Sequence, residues 1–223
     1  MTAGGCAVRP GHAPAQFHML TTGYARRTDN DGGWVAASAS VLLREGQQVV
    51  VTDPGGNADT LLAALALQQV MPEDVTTVFL THGHIDHIVN LSLFPSAVVC
   101  DGFVTARGDR LIPCNGLLPG TTMRLLETPG HCAEHYALVA ETQIGRVAVA
   151  GDLFWWEDDA PPQAGGAGST ALSSHIELAP EALIGLPDTI ATDPAALAAS
   201  RRALLALEPR WIVPGHGGVI RVA

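Results

Sequence analysis

The sequence predicts an α/β protein, an αββα sandwich of two mixed β-sheets with helices on the outer faces. Three observations carry that expectation. The 223-residue chain is 47% apolar and only 15% charged, enough to bury a sizeable core. Its elements run β-rich, then helix–strand, then β-rich, then helix–strand, whereas a doubly wound sheet needs more helices between its strands. Each half also ends in metal-type side chains placed just after strands.

Residues 1–15, rich in Gly, Pro and Ala, are expected to be flexible. Phe17–Tyr24 reads as a first strand and Arg26–Trp34 as a polar hairpin or loop. Ala39–Leu43 and Gln47–Thr52 read as an antiparallel pair turning at Gly46. After T-D-P-G-G (52–56), Asn57 or Asp59 caps a helix over 58–70, ended by Pro72. The β-branched run Val75–Leu80 reads as a buried strand, and Ile88–Leu93 as the start of a short helix that Pro95 stops. Ala97–Cys100 is a strand, 101–120 is loop-rich, and Met123–Glu127 is a strand running into T-P-G-H. Tyr136–Ala140 and Arg146–Ala150 form a second antiparallel pair, the latter ending in Gly151–Asp152. Phe154–Ser174 has no periodicity. Thr192 or Asp193 then caps a helix with Pro194 at its first position, and Trp211–Val213 is a last strand before P-G-H-G (214–217). No linker marks a second domain, so one domain over 1–223 is expected.

The formal charge of −10, with 12 basic residues, excludes a broad phosphate-binding surface. Local cation tracks, built from Arg107, Arg110 or Arg124, stay open. None of the four cysteines shows C-x-x-C spacing, no run approaches the ~18 apolar residues of a membrane span, and the start of the chain lacks an apolar signal region. The expectation is a cytoplasmic protein with reduced thiols and no membrane partner; a homodimer is open.

Thr81–His87, T-H-G-H-I-D-H, places three histidines and an aspartate in a strand-to-helix loop. Imidazole with carboxylate suits zinc, iron or manganese. In extended chain His82 and His84 point the same way, so with His131 they form a three-histidine site of the kind catalytic zinc uses. Asp86, His87 and His216 fit a second ion, and Asp152 can stand between the two. Two divalent ions, zinc first, are therefore the expected cofactors. Asp53 reads as an acceptor behind a ligand histidine, and His135 as a partner aligning groups near the site. Trp155 and Trp156 are either core or a substrate wall, in a segment, 155–174, whose composition suits a lid. His12, His18 and His175 read as having no metal role, and Cys132 as packing.

T-H-G-H-I-D-H, T-P-G-H, A-G-D and P-G-H-G, with T-D-P-G upstream, resemble the five ordered motifs of the metallo-β-lactamase superfamily, over residues 52–217. The resemblance implies a dinuclear site with His82, His84, His131, Asp86, His87, Asp152 and His216 as ligands, and hydrolysis by a metal-bound hydroxide. Aspartate at 86 and 152 is similar to the glyoxalase II and RNase Z type of site rather than the cysteine-bearing lactamase type. Residues 81–95, 147–154, 193–202 and 213–217 further resemble a branch linked to 3′-end processing of histone pre-mRNA. That implies a phosphodiester substrate, an RNA endonuclease-like activity on single-stranded RNA, with Asp86 orienting the nucleophile and His135 assisting. The alternative is a small-molecule thioester, lactone or ester hydrolase of glyoxalase II or lactonase type. A metal-binding or redox protein without hydrolysis is the third class.

Overall fold

The computed structural model describes residues 13–28, 31–157 and 175–223. Two mixed sheets face each other. The first has seven strands in the order β1-β4-β5-β6-β7-β8-β9, and the second has six, β10-β11-β12-β14-β15-β13. The strands are β1 (Gln16–Thr21), β2 (Tyr24–Arg27), β3 (Trp34–Ala37), β4 (Ser40–Glu45), β5 (Gln48–Thr52), β6 (Thr77–Phe79), β7 (Val98–Cys100), β8 (Val104–Arg107), β9 (Arg110–Pro113), β10 (Arg124–Glu127), β11 (Tyr136–Thr142), β12 (Gly145–Gly151), β13 (Ile176–Leu178), β14 (Trp211–Pro214) and β15 (Ile220–Val222). The helices are α1 (Ala58–Leu67), α2 (Ile85–Ile88), α3 (Pro180–Ile184) and α4 (Pro194–Leu205).

Alternation along each strand builds the layers. Val41 and Leu43 of β4 join Phe79, Leu138, Val149 and Val213 in the core between the sheets. Leu42, one residue out of phase, faces outward with Val51 and Val78 onto Leu61, Ala64 and Leu65 of α1. On the far side Ala148 and Ala150 of β12 pack with Leu197 and Leu204 of α4. That is the αββα order. Asn57 caps α1 through Oδ1, which accepts the Thr60 N–H at 3.0 Å. Asp193 caps α4, accepting from Ala195 and Ala196, with Pro194 at the first position.

Several expected boundaries move. The first strand ends at Thr21 and β2 pairs with β3 as a separate ribbon, so Arg26–Trp34 takes the hairpin of the two readings, with Arg26 and Arg27 in its first strand. The 101–120 stretch holds the β8–β9 hairpin. The strand before the histidine motif is only Thr77–Phe79, with a 3₁₀ turn at 72–74 before it. The following helix begins earlier and ends sooner than expected, at Ile85–Ile88. Asn90 stops it: its N–H donates to Pro54 O, and its amide donates to the carbonyls of Gly55 and Gly56. At the other end of the chain, residues 1–12 lie outside the described residues. Ala15, within the stretch expected to be flexible, is buried, and its N–H donates to Glu141 O at 2.8 Å. Among the described residues no helix is long and apolar enough to cross a membrane.

Candidate metal centre

The parallel strands β5, β6 and β7 put their C-terminal ends at one edge of the first sheet. β12 and β14 do the same in the second. Ligand-type residues leave from these ends, and the two loop sets meet: Tyr136 N–H donates to Thr81 O at 2.8 Å, and Gly215 N–H to Gly151 O at 2.7 Å. Two groups result, His82–His84–His131–Asp152 and Asp86–His87–His216, each with potential ligand atoms within 4.8 Å of one another. Asp152 serves both. Its Oδ2 lies 3.3 Å from His131 Nε2 and 3.8 Å from His82 Nε2. Its Oδ1 lies 3.3 Å from His87 Nε2 and 3.4 Å from His216 Nε2.

Three of the histidines are hydrogen-bonded from behind and a fourth, His87, has a carboxylate beside it, which leaves one nitrogen facing the centre. His216 Nδ1 donates to Tyr24 O and Ala37 O, each 3.0 Å away. His131 Nδ1 meets Asp188 Oδ2 at 2.9 Å. His82 Nδ1 meets Thr81 Oγ1 at 3.1 Å, and His87 Nδ1 lies 3.1 Å from Asp53 Oδ2. Asp53 also accepts the Thr81 N–H and hydroxyl, both at 2.8 Å. His82 Nε2, His87 Nε2 and Asp152 Oδ1 are buried without a hydrogen-bond partner among the described residues. Buried polar atoms left unpaired are costly. Imidazole and carboxylate orphans converging on one point are the donor set a hard-to-borderline divalent ion takes.

Charge follows the same geometry. Burial raises the cost of the Asp152 anion, but the neighbouring His87 and His216 hold its pKa well below the usual carboxylate value. Burial opposes a charged His216, yet the Asp152 and Asp86 carboxylates, 3.4 and 3.3 Å from its Nε2, raise it to about 9. Burial and the neighbouring His87 push His82 well down.

His135 stands behind the ligands. It is fully buried behind His82, ring centroids 5.1 Å apart, bonded to Thr128 Oγ1 at 2.7 Å, and burial drives it down to about 3. It does not line the cavity at the centre and stands as a support behind the ligands. Asp86 does face the pocket, its side chain 30% exposed.

The centre opens into a cavity of about 480 Å³. Trp155 lines it, within 6.2 Å of His216 and 5.9 Å of Trp34 by ring centroids. Trp156 does not: it packs against Gly217 beneath the P-G-H-G loop, so only one of the two expected wall residues is wall. Residues 158–174 of the suggested lid lie outside the described residues. Arg107 and Arg110 sit at the β8–β9 turn beside the start of β7, and Arg124 at the start of β10. All three are at the far end of their sheets from the ligands. Sequence reading missed Asp188, Trp34 and Ile190, the last two as pocket lining.

The sequence profile of the metallo-beta-lactamase superfamily matches residues 33–112. The chain is 33% identical over 220 residues to metallo-beta-lactamase domain-containing protein 1 of Xenopus laevis, covering 94% of this chain and 83% of the relative. It is 38% identical over 185 residues to the Homo sapiens protein of that name, covering 78% of this chain and 59% of the relative. A Thermotoga maritima crystal structure described as a metallo-beta-lactamase superposes with a TM-score of 0.64 at 18% identity, over 94% of this chain and all of that one. At 33% identity over 94% of its own length and 83% of the Xenopus laevis relative, the chain belongs to the metallo-β-lactamase superfamily, among its metal-dependent hydrolases.

Proposed function

We propose that the protein hydrolyses a small thioester, lactone or ester that carries an apolar group beside the scissile bond, at a centre of two zinc ions. One observation carries the substrate class. The cavity over the ligands is walled by Ala25, Trp34, Ala36, Val89, Trp155 and Ile190, with no lysine or arginine among the described residues of its lining. An apolar cavity rewards an apolar ligand and leaves a polyanion's charge unpaired.

His82, His84 and His131 would hold one ion and Asp86, His87 and His216 the other, with one oxygen of Asp152 toward each. When bound, such ions activate water near neutral pH and polarise the oxygen under attack. The chain does the rest. Asp86, open to the cavity and held anionic by its His216 hydrogen bond against the cost of burial, orients the attacking water and takes its proton. Trp34, Trp155 and Ile190 clasp the apolar group and exclude water. Asp53 fixes His87 and the Thr81 backbone.

The second reading, hydrolysis of a phosphodiester in single-stranded RNA, is favoured by one feature of the rim. The Arg27 guanidinium lies 4.6 Å from the Trp34 ring centroid, an aromatic–cation pair suited to a base and its phosphate. Arg27 is already paired with Glu157 at 3.1 Å, which weakens its pull on a phosphate.

Zinc-loaded protein is assayed on lactoylglutathione, acyl-homoserine lactones, bis-nitrophenyl phosphate and RNA. Turnover of an acyl substrate is expected, and Trp34→Ala should raise KM roughly tenfold for long-chain substrates and little for short ones. Cleavage of the phosphodiesters alone, falling steeply as salt rises, would sink the acyl reading and favour the second.

A further inference from the structure

We infer that Asp188, between α3 and α4, is a positioning residue that fixes His131 for metal binding and ties that ligand to the wall of the substrate cavity. The inference rests on the metal reading of the centre and not on the choice of substrate.

The Asp188 side chain is fully buried, and its two oxygens do different things. Oδ2 meets His131 Nδ1 at 2.9 Å, while Oδ1 accepts the Ile190 N–H at 3.1 Å. A carboxylate in the first position selects the imidazole tautomer with its proton on Nδ1 and leaves Nε2 free. Nε2 is the atom that lies 3.3 Å from Asp152 Oδ2 and 3.2 Å from His84 Nδ1. The second bond fixes the backbone of Ile190, a cavity wall residue.

The segment that carries Asp188 is built onto the ligand loop. Thr192 N–H donates to His131 O at 3.0 Å and Asp193 N–H to Gly130 O at 2.9 Å, so His131 is gripped by both its ring and its backbone. Ser200 of α4 donates to Pro129 O at 2.7 Å, one residue further back. Arg201, 2% exposed, anchors the other side. Its Nε donates to Leu153 O at 2.8 Å, next to Asp152, and its Nη1 donates to the carbonyls of Ile184 and Leu186 just before Asp188. One buried arginine thus frames the turn bearing Asp188 against the turn bearing Asp152. A shift of residues 186–190 would therefore be felt at both the ligand and the wall.

The test is zinc binding to stripped protein by competition with a chromophoric chelator, for wild type, Asp188→Ala, Asp188→Asn and His131→Ala. Removing such an outer partner should weaken one of the two zinc sites about 10- to 100-fold. Asp188→Asn should fall between, because an amide oxygen still accepts the Nδ1 proton without supplying charge. Ring ¹⁵N spectra should show His131 as a single Nδ1-protonated tautomer in wild type and lose that signature in Asp188→Ala. A wild-type isotherm and tautomer in Asp188→Ala would overturn the inference. If His131→Ala still binds two zinc ions as wild type does, the metal reading falls with it. If the alanine variant does not fold, the asparagine variant decides by the same two measurements.

Discussion

Gly215 and Gly83 both flank ligand histidines, and the structure assigns them opposite tolerances. A Cβ added at Gly215 would lie 1.8 Å from Asp152 Oδ1 and 3.0 Å from both Asp152 Cγ and the Gly151 carbonyl carbon. Ordinary contact begins near 3.4 Å, so the carboxylate oxygen has to retreat by about 1.6 Å. Metal–ligand bonds tolerate about 0.2 Å. Because the two oxygens of Asp152 face different ligand groups, the displacement damages both. At Gly83 a Cβ meets nothing within 4 Å and the backbone is not in the left-handed region, although the residue sits inside the T-H-G-H run.

Gly215→Ala should therefore lose most bound metal, and Gly83→Ala should keep it. Overpacking costs about 1–3 kcal/mol. The stabilisation lost with an ion held at a hundredfold over its dissociation constant is about 2.7 kcal/mol. For a chain of this length the sum lowers Tm by roughly 10 °C. Elemental analysis gives ions per chain, and melting with and without chelator separates the two contributions. The metal-free variant should differ from metal-free wild type only by the packing cost. A Gly215→Ala protein with wild-type metal content and a wild-type response to chelator would refute the reasoning, as would equal metal loss in Gly83→Ala.

Leu138→Ala removes a fully buried side chain from the core between the sheets and should cost about 2–5 kcal/mol in urea unfolding, with metal content per folded chain unchanged. Burial, with Cys114 beside it, pushes the Cys100 thiol up from 9.0 to about 12. Folding then favours the protonated thiol, so stability present below pH 9 is lost as pH rises toward 12, and Cys100→Ala should melt with a flatter alkaline limb. At pH 8 iodoacetamide should label Cys100 far more slowly in native than in guanidine-unfolded protein; equal rates would contradict its burial.

The layer order was readable because it is written at period two. In β4, Val41 and Leu43 go to one side and Leu42 to the other, and both sides find apolar partners. The β8–β9 hairpin also had a signal: Gly108–Asp109 is a two-residue turn with Gly108 at φ +60°, between Arg107 and Arg110. It was passed over because the flanking residues do not alternate, β9 being exposed throughout. β13 and β15 are three residues each, too short for any period to show. The short α2 was misplaced for a different reason. The apolar run that suggested a helix from Ile88 is cut by Asn90, whose partners lie 34 to 36 residues upstream, in T-D-P-G-G.

The seven ligand-type residues were legible for a chemical reason: imidazoles and carboxylates at strand ends, beside glycine, have few other uses. Asp188 offers no such cue. In L-P-D-T-I it reads as an ordinary turn aspartate, and its partner is 57 residues away. Arg201 is similar, since a helix bearing S-R-R reads as a solvated face, and only the fold reveals that one of the two arginines is buried under three carbonyls. Trp34 and Ile190 join Ile85 and Val89 around one opening although they come from three separate segments. A ligand set is therefore visible in local sequence, because each member must be a particular residue type. The groups that orient the set and shape the cavity become visible only once strand pairing has brought the loops together.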